Sequence, residues 1–181
     1  MQTDMTVGKP MKMLSNFTIP VFLGNVFQQL YSMADAVIVG KFVGTKGLAA
    51  VGATGTITFL IIGFLMGLTT GFTVLTSQKF GAGRMDEMRK TVGNAAILSA
   101  VIAVVMTAVS MLGMHRLLVF MHTPEDIFDG AYGYIMIICA GIFTQVLYNL
   151  VSSILRALGN SKTPLYFLIL AAGLNIVLDL V

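Results

Sequence analysis

Residues 47–78 read GLAAVGATGTITFLIIGFLMGLTTGFTVLTSQ. No Asp, Glu, Lys or Arg interrupts these 32 residues between Lys46 and Lys79. A helix needs about 20 mainly apolar residues to cross the roughly 30 Å hydrocarbon core of a bilayer. The window is therefore one membrane span with residues to spare, and the surplus is expected to be loop or tilted helix. Working outward, the same character recurs four more times. The expected spans are 16–40, 50–77, 91–114, 131–155 and 164–181. The fold class that follows is all-α, a polytopic membrane bundle of five transmembrane helices.

Composition points the same way. Of 181 residues, 56% are hydrophobic and only 10% charged, with a mean hydropathy of +0.88. A soluble domain carries roughly 25% charged residues, so the solvent here is the lipid bilayer. The net charge of +3 does not indicate a nucleic-acid partner, because the basic residues are scattered through short loops. The single cysteine, Cys139, lies in an apolar segment and reads as a small packing residue. The N-terminal apolar run, from about Met13 to Gly40, exceeds the roughly 7–15 residues of a signal peptide and reads as a retained first span.

The boundaries carry helix punctuation. Thr163-Pro164 reads as cap and first turn of the fifth helix. Thr123-Pro124-Glu125-Asp126 reads as a polar lead-in to the fourth. Gly159-Asn160 and Gly81-Ala82-Gly83 read as helix ends. With five spans, Lys9, Lys12, Lys79, Arg84, Arg89, Lys90, Arg156 and Lys162 fall on one side, and Lys41, Lys46 and Arg116 on the other. The basic side is cytoplasmic, which places the N-terminus inside and makes the odd-numbered helices run outward. An odd number of spans is the expectation for the front part of a longer protein.

Two acids, Asp35 and Asp179, lie inside apparent spans, whereas the other six fall in the tail or in loops. A charge at mid-bilayer costs roughly 2.5–3.5 kcal/mol or more and marks function by default. Asp35 lies about 28 Å, and Asp179 about 22 Å, above the inner ends of their helices at 1.5 Å per residue. Both belong to the outer half, and they meet only if helices one and five are neighbours. Asn25, Gln28, Ser32 and Asp35 fall within an arc of about 80° on helix one. Asn175 and Asp179 share a face of helix five. Tyr132 and Tyr134 start helix four at the outer level, and Gln145, Tyr148, Asn149 and Ser152 form a polar stripe lower down. Such a lining suits a passage or a binding cavity; interhelical hydrogen bonding is the alternative for the amides.

Burial and a neighbouring carboxylate both favour the protonated form of such a pair. It can hold a proton, a sodium ion or a cationic substrate. Competition among these for one site amounts to antiport. Pro20 removes a backbone hydrogen bond and is expected to kink helix one. Gly63, Gly67 and Gly71 permit close packing along helix two. His115 and His122 read as residues of an outer loop. No catalytic arrangement, phosphate loop or metal-ligand cluster stands out, so an enzyme and a cofactor are not expected.

Four motifs resemble the multidrug and toxic compound extrusion (MATE) family. They are Phe27-Gln28-Gln29-Leu30-Tyr31-Ser32-Met33-Ala34-Asp35 followed by Val39-Gly40; Gln78-Lys79-Phe80-Gly81-Ala82-Gly83; Leu155-Arg156-Ala157-Leu158-Gly159-Asn160-Ser161-Lys162-Thr163-Pro164; and Asn175-Ile176-Val177-Leu178-Asp179. The resemblance implies two six-helix lobes around a central cavity, exchanging organic cations for protons or sodium. Residues 1–181 would then be an incomplete N-terminal lobe in the cell membrane, partnered by the second lobe of the same protein. It further implies that Asp35, Asn175 and Asp179 form the N-lobe cation or proton site, with sodium as the possible metal and Tyr134 as a fourth member. Pro20 resembles the proline at which the family's first helix is proposed to bend. A lipid-linked oligosaccharide flippase of the same superfamily is the neighbouring reading, but its cavity tends to be basic, and the charges within these spans are acidic. A non-transporting membrane subunit is the third.

Overall fold

The computed structural model describes residues 10–179. It contains five helices: α1 (Pro10–Phe42), α2 (Thr45–Gly81), α3 (Met85–Phe120), α4 (Glu125–Ala157) and α5 (Lys162–Asp179). Among the described residues there is no strand. α2, α3 and α4 are each long and apolar enough to cross a membrane. α1 is equally long but carries Asn16, Asn25, Gln28, Gln29 and Asp35 along its length, which dilutes its apolar character. The apolar part of α5, Lys162–Leu178, is shorter.

The helices overrun the expected spans. α2 is one continuous helix of 37 residues, so the surplus predicted as loop is helical. At 1.5 Å per residue it measures roughly 55 Å and projects beyond a roughly 30 Å hydrocarbon core. α4 likewise starts at Glu125, so the polar lead-in forms its first turn, where Glu125 and Asp126 complement the helix dipole. His115 lies within α3 rather than in a loop, with its ring edge-on to Phe128 at 5.3 Å and Tyr132 at 5.7 Å.

Three helix ends close with the same device. At the end of α2, Gly83 N–H bonds to Phe80 O and Arg84 N–H to Lys79 O. After α3, His122 bonds to Val119 and Thr123 to Leu118; after α4, Gly159 bonds to Arg156 and Asn160 to Leu155. This Schellman pattern needs a left-handed residue just past the helix. Gly83 (φ 70°) and Gly159 (φ 79°) supply it at no steric cost, and His122 (φ 53°) does so as a non-glycine. Asn160 also starts α5: its Oδ1 accepts from Thr163 N–H at 3.1 Å, and its Nδ2 donates to Thr163 Oγ1 at 2.9 Å. The cap is therefore Asn160, not Thr163, because only the residue three positions back reaches that N–H. At the α2–α3 turn, Lys79 and Arg84 both bond Glu87. The hydrogen bond from Lys79 is the main reason the Glu87 carboxyl sits below its ordinary value.

The described residues group into two compact units. The first contains the residues up to Ile38, Thr70–Gly93 and those from Val151 onward. In it, α1 packs on α5 at Gly24, where a Cβ would stand 3.6 Å from Leu168 Cδ2 and 3.7 Å from Leu165 Cδ1. The second contains Val39–Thr69 and Asn94–Leu150. Its core joins Ala50, Ile57, Ile61 and Leu65 of α2, Ala103, Met114 and Leu118 of α3, and Ala131, Ile135, Cys139, Ile142 and Val146 of α4. The spacing of three, four, seven and eleven residues puts each set on one helical face. Small residues bring the backbones close: a Cβ on Gly130 would lie 3.5 Å from that of Ala50. Outward-facing Phe59, Leu112 and Ile137 are exposed, as side chains meeting lipid should be.

Two stability effects follow, both measured by thermal unfolding in lipid or detergent. Asn160→Ala should cost about 1 kcal/mol through the lost cap, and Asn160→Asp should retain most of it. Gly24→Ala should be tolerated, since its Cβ would meet only ordinary van der Waals distances. Gly24→Leu should cost about 1–3 kcal/mol by overpacking the α1–α5 contact.

Candidate functional site

The geometry of the site starts at Gly24. Gly40 lies against Leu48, Lys79 against Glu87, and His115 against Phe128 and Tyr132, so the first three connections reverse the chain. The fourth connection is equally short, from Leu158 to Ser161, and short connections join antiparallel neighbours. Helices α1 and α5 therefore run in the same direction. Asp35 lies eleven residues beyond Gly24, three turns plus about 20°, and so on the face that meets α5. Eleven residues beyond Leu165 and Leu168 on α5 lead to positions 176–179. The register sets Asp35 level with the end of the Asn175–Asp179 segment.

On α5 beyond its first turn the half-buried positions are Leu165, Leu168, Ala172 and Asn175. Their spacing of three and four marks one stripe, and Asn175 continues the line that packs on Gly24. Among the described residues its buried Oδ1 has no hydrogen-bond partner. An amide oxygen so placed is an acceptor awaiting a donor or a cation. Asp35 is half-buried. The backbone of Asp179 closes α5, and its side chain lies outside the described residues.

The other predicted residues are distributed around this line. Asn25, Gln28 and Ser32 are exposed on α1, beside the α5-facing stripe, and Ser32 Oγ donates to Gln28 O at 3.0 Å. Their exposure makes them an open polar strip. Pro20 is buried, and α1 continues as helix on both sides of it. Tyr134, Gln145 and Tyr148 are half-buried on α4, in the second unit, whereas Asp35, Asn175 and Asp179 belong to the first.

Sequence reasoning missed the contribution of Gly24. A lone glycine in an apolar helix gives no local sign of its partner. The orphaned state of Asn175 Oδ1 was equally hidden, because it depends on what surrounds the amide.

Comparison with known proteins covers nearly the whole chain. The MatE family model matches residues 20–181. The probable multidrug resistance protein YpnP of Bacillus subtilis (strain 168) is 33% identical over 175 residues, covering 97% of this chain and 39% of that protein. Among solved structures, a MOP superfamily transporter from Pyrococcus furiosus superposes with a TM-score of 0.92 at 28% identity, covering 99% of this chain and 40% of that one. A MATE crystal structure in a bent conformation superposes with a TM-score of 0.89 at 28% identity, with the same coverage. The chain thus spans about 40% of the length of the proteins it matches. It belongs to the MATE family, whose members are multi-pass membrane transporters and not enzymes.

Proposed function

We propose that this chain supplies part of the N-terminal lobe of a multidrug exporter driven by proton or sodium antiport. Asp35, Asn175 and Asp179 form its coupling site, with organic cations as substrates. The observation that carries this reading is the seat of Gly24 on Leu165 and Leu168, from which the register of Asp35 on the Asn175–Asp179 segment follows. Relatives named as probable multidrug resistance proteins support the efflux part. The excess of Lys and Arg on the side of the α2–α3 and α4–α5 turns supports a cytoplasmic N-terminus.

The chemistry rests on one negative site with exclusive occupants. Asn175 Oδ1 accepts a hydrogen bond from a protonated carboxyl, or lends an oxygen to a sodium ion. Either occupant offsets one negative charge of the pair in a setting where an uncompensated charge is costly. An arriving organic cation competes for the same charge, so its release is tied to the return of a proton or sodium ion. The exposed strip of Asn25, Gln28 and Ser32 on α1 lines the path of the substrate. Pro20 is the point at which α1 bends between states, since its ring leaves a backbone carbonyl without its helical donor.

The test uses the transporter carrying this chain at the full length of its relatives, expressed in cells loaded with a fluorescent organic cation. Asp35→Asn should abolish efflux while leaving the amount inserted in the membrane unchanged; efflux at the unaltered rate overturns the assignment. Asp179→Asn should leave residual transport insensitive to collapse of the proton or the sodium gradient. An unchanged gradient dependence counts against a coupling role for that residue.

A further inference from the structure

The first unit carries a surplus of positive charge at one end. Its helix ends on that side are the start of α1, the α2–α3 turn and the α4–α5 turn. Short connections that reverse the chain bring these ends to one side of the bilayer. They hold Lys12, Lys79, Arg84, Arg89, Lys90, Arg156 and Lys162 against Asp86 and Glu87. Seven cations less two anions leave a surplus of five. Lys9 and Asp4 cancel each other and do not alter it. Glu87 is already bonded by both Lys79 and Arg84. The helix ends of the second unit are balanced instead. There Lys41, Lys46 and Arg116 stand against Glu125, Asp126 and Asp129, and Lys46 pairs with Asp126 at 3.9 Å.

Helix rise sets the depth of the surplus. Lys90 and Arg116 are 26 residues apart on α3, and Asp129 and Arg156 are 27 apart on α4. At 1.5 Å per residue these separations are about 39 and 41 Å. A bilayer with its headgroups measures roughly 40–45 Å. Lys90 and Arg156 therefore lie at the level of the lipid phosphates, with Arg89 next to Lys90. Arg89, Lys90 and Lys162 are exposed, and Arg156 is half-buried. One turn past Lys162, on the same face, Tyr166 is 66% exposed, and Ile169 follows at 41%. Ammonium, phenol and aliphatic side chain run in the order of a phospholipid, from phosphate through glycerol to acyl chain. Tyrosine favours that boundary between headgroup and hydrocarbon.

We propose that the basic end of the first unit is a docking surface for anionic phospholipid, whose phosphates are drawn to Arg89, Lys90, Arg156 and Lys162. A zwitterionic headgroup brings an ammonium with every phosphate and leaves the surplus uncompensated. An anionic headgroup supplies the net negative charge that this end lacks. The flexible stems of lysine and arginine lie along apolar surface and let their heads reach the phosphate plane. Attraction of this kind needs proximity within a Debye length of about 8–10 Å, not a shaped pocket. The surface shares no residue with Asp35, Asn175 and Asp179, and it stands whether or not those residues couple transport.

The test reconstitutes the transporter carrying this chain, at the full length of its relatives, in phosphatidylcholine vesicles. A trace of spin-labelled phosphatidylglycerol or spin-labelled phosphatidylcholine is added. Electron paramagnetic resonance reads the motionally restricted fraction of each label, and hence its relative association with the protein. A cation beside an anionic lipid surface is worth roughly fivefold, so phosphatidylglycerol should be preferred about threefold when averaged over the whole perimeter. Lys90→Gln, Arg156→Gln and Lys162→Gln together should lower that preference by about half. Lys41→Gln with Lys46→Gln should leave it unchanged. Salt at about 1 M, where the Debye length falls to about 3 Å, should abolish the preference of the unaltered protein. That arm decides the matter even if the triple variant does not insert. Equal association of the two lipids, a preference that survives 1 M salt, or one that the triple change leaves intact overturns the proposal.

Discussion

Hydrocarbon offers no hydrogen-bond partners, and the rest of the structure depends on that constraint. Every backbone N–H and C=O inside a bilayer must be satisfied within the protein, which leaves the helix as the default for a single apolar segment. It is why the part of the charge-free window 47–78 that crosses the hydrocarbon is helix without a break. The same constraint explains the threonines of α2, which turn their hydroxyls back onto their own carbonyls. It also explains the three Schellman ends, which satisfy carbonyls that the helix leaves unpaired.

Once the helices exist, lipid supplies no hydrophobic drive to bring them together. Packing depends on places where backbones approach closely, and small residues provide them. Gly130 lets α4 come up to Ala50 on α2, and Gly24 lets α5 lay two leucines on α1. The second contact has consequences beyond stability. It fixes the rotation and the level of α1 on α5, and so decides which polar side chains share a neighbourhood. The proposed pairing of Asp35 with the Asn175–Asp179 segment rests on it.

The acids also show how polar groups are rationed in this chain. The charges outside the apolar stretches pair in ordinary exposed contacts, such as Lys79 and Arg84 with Glu87, or Lys46 with Asp126. Such contacts contribute little to stability. Within the spans, polar atoms without partners are few among the described residues, and they lie on helix faces turned inward. Each is a costly group that a proton, an ion or a water would relieve.

Much of the fold was legible in the sequence because composition and periodicity report on solvent. The apolar runs marked the helices, glycine marked two of the Schellman ends, and the two acids stood out against their surroundings. Local readings failed where a residue's role depended on a few ångströms of reach. Asn160 caps α5 because its side chain arrives at Thr163 N–H, and His115 lies in a helix because α3 continues through the apolar Leu117–Phe120 that follows it. What the sequence determined by itself was the solvent, the number of helices and the identity of the costly residues, since these follow from the transfer energies of single side chains. What only the tertiary structure decided was which faces meet. Helix periodicity places a residue on a face but does not say which partner that face has, and here the answer depends on the absent side chain of Gly24.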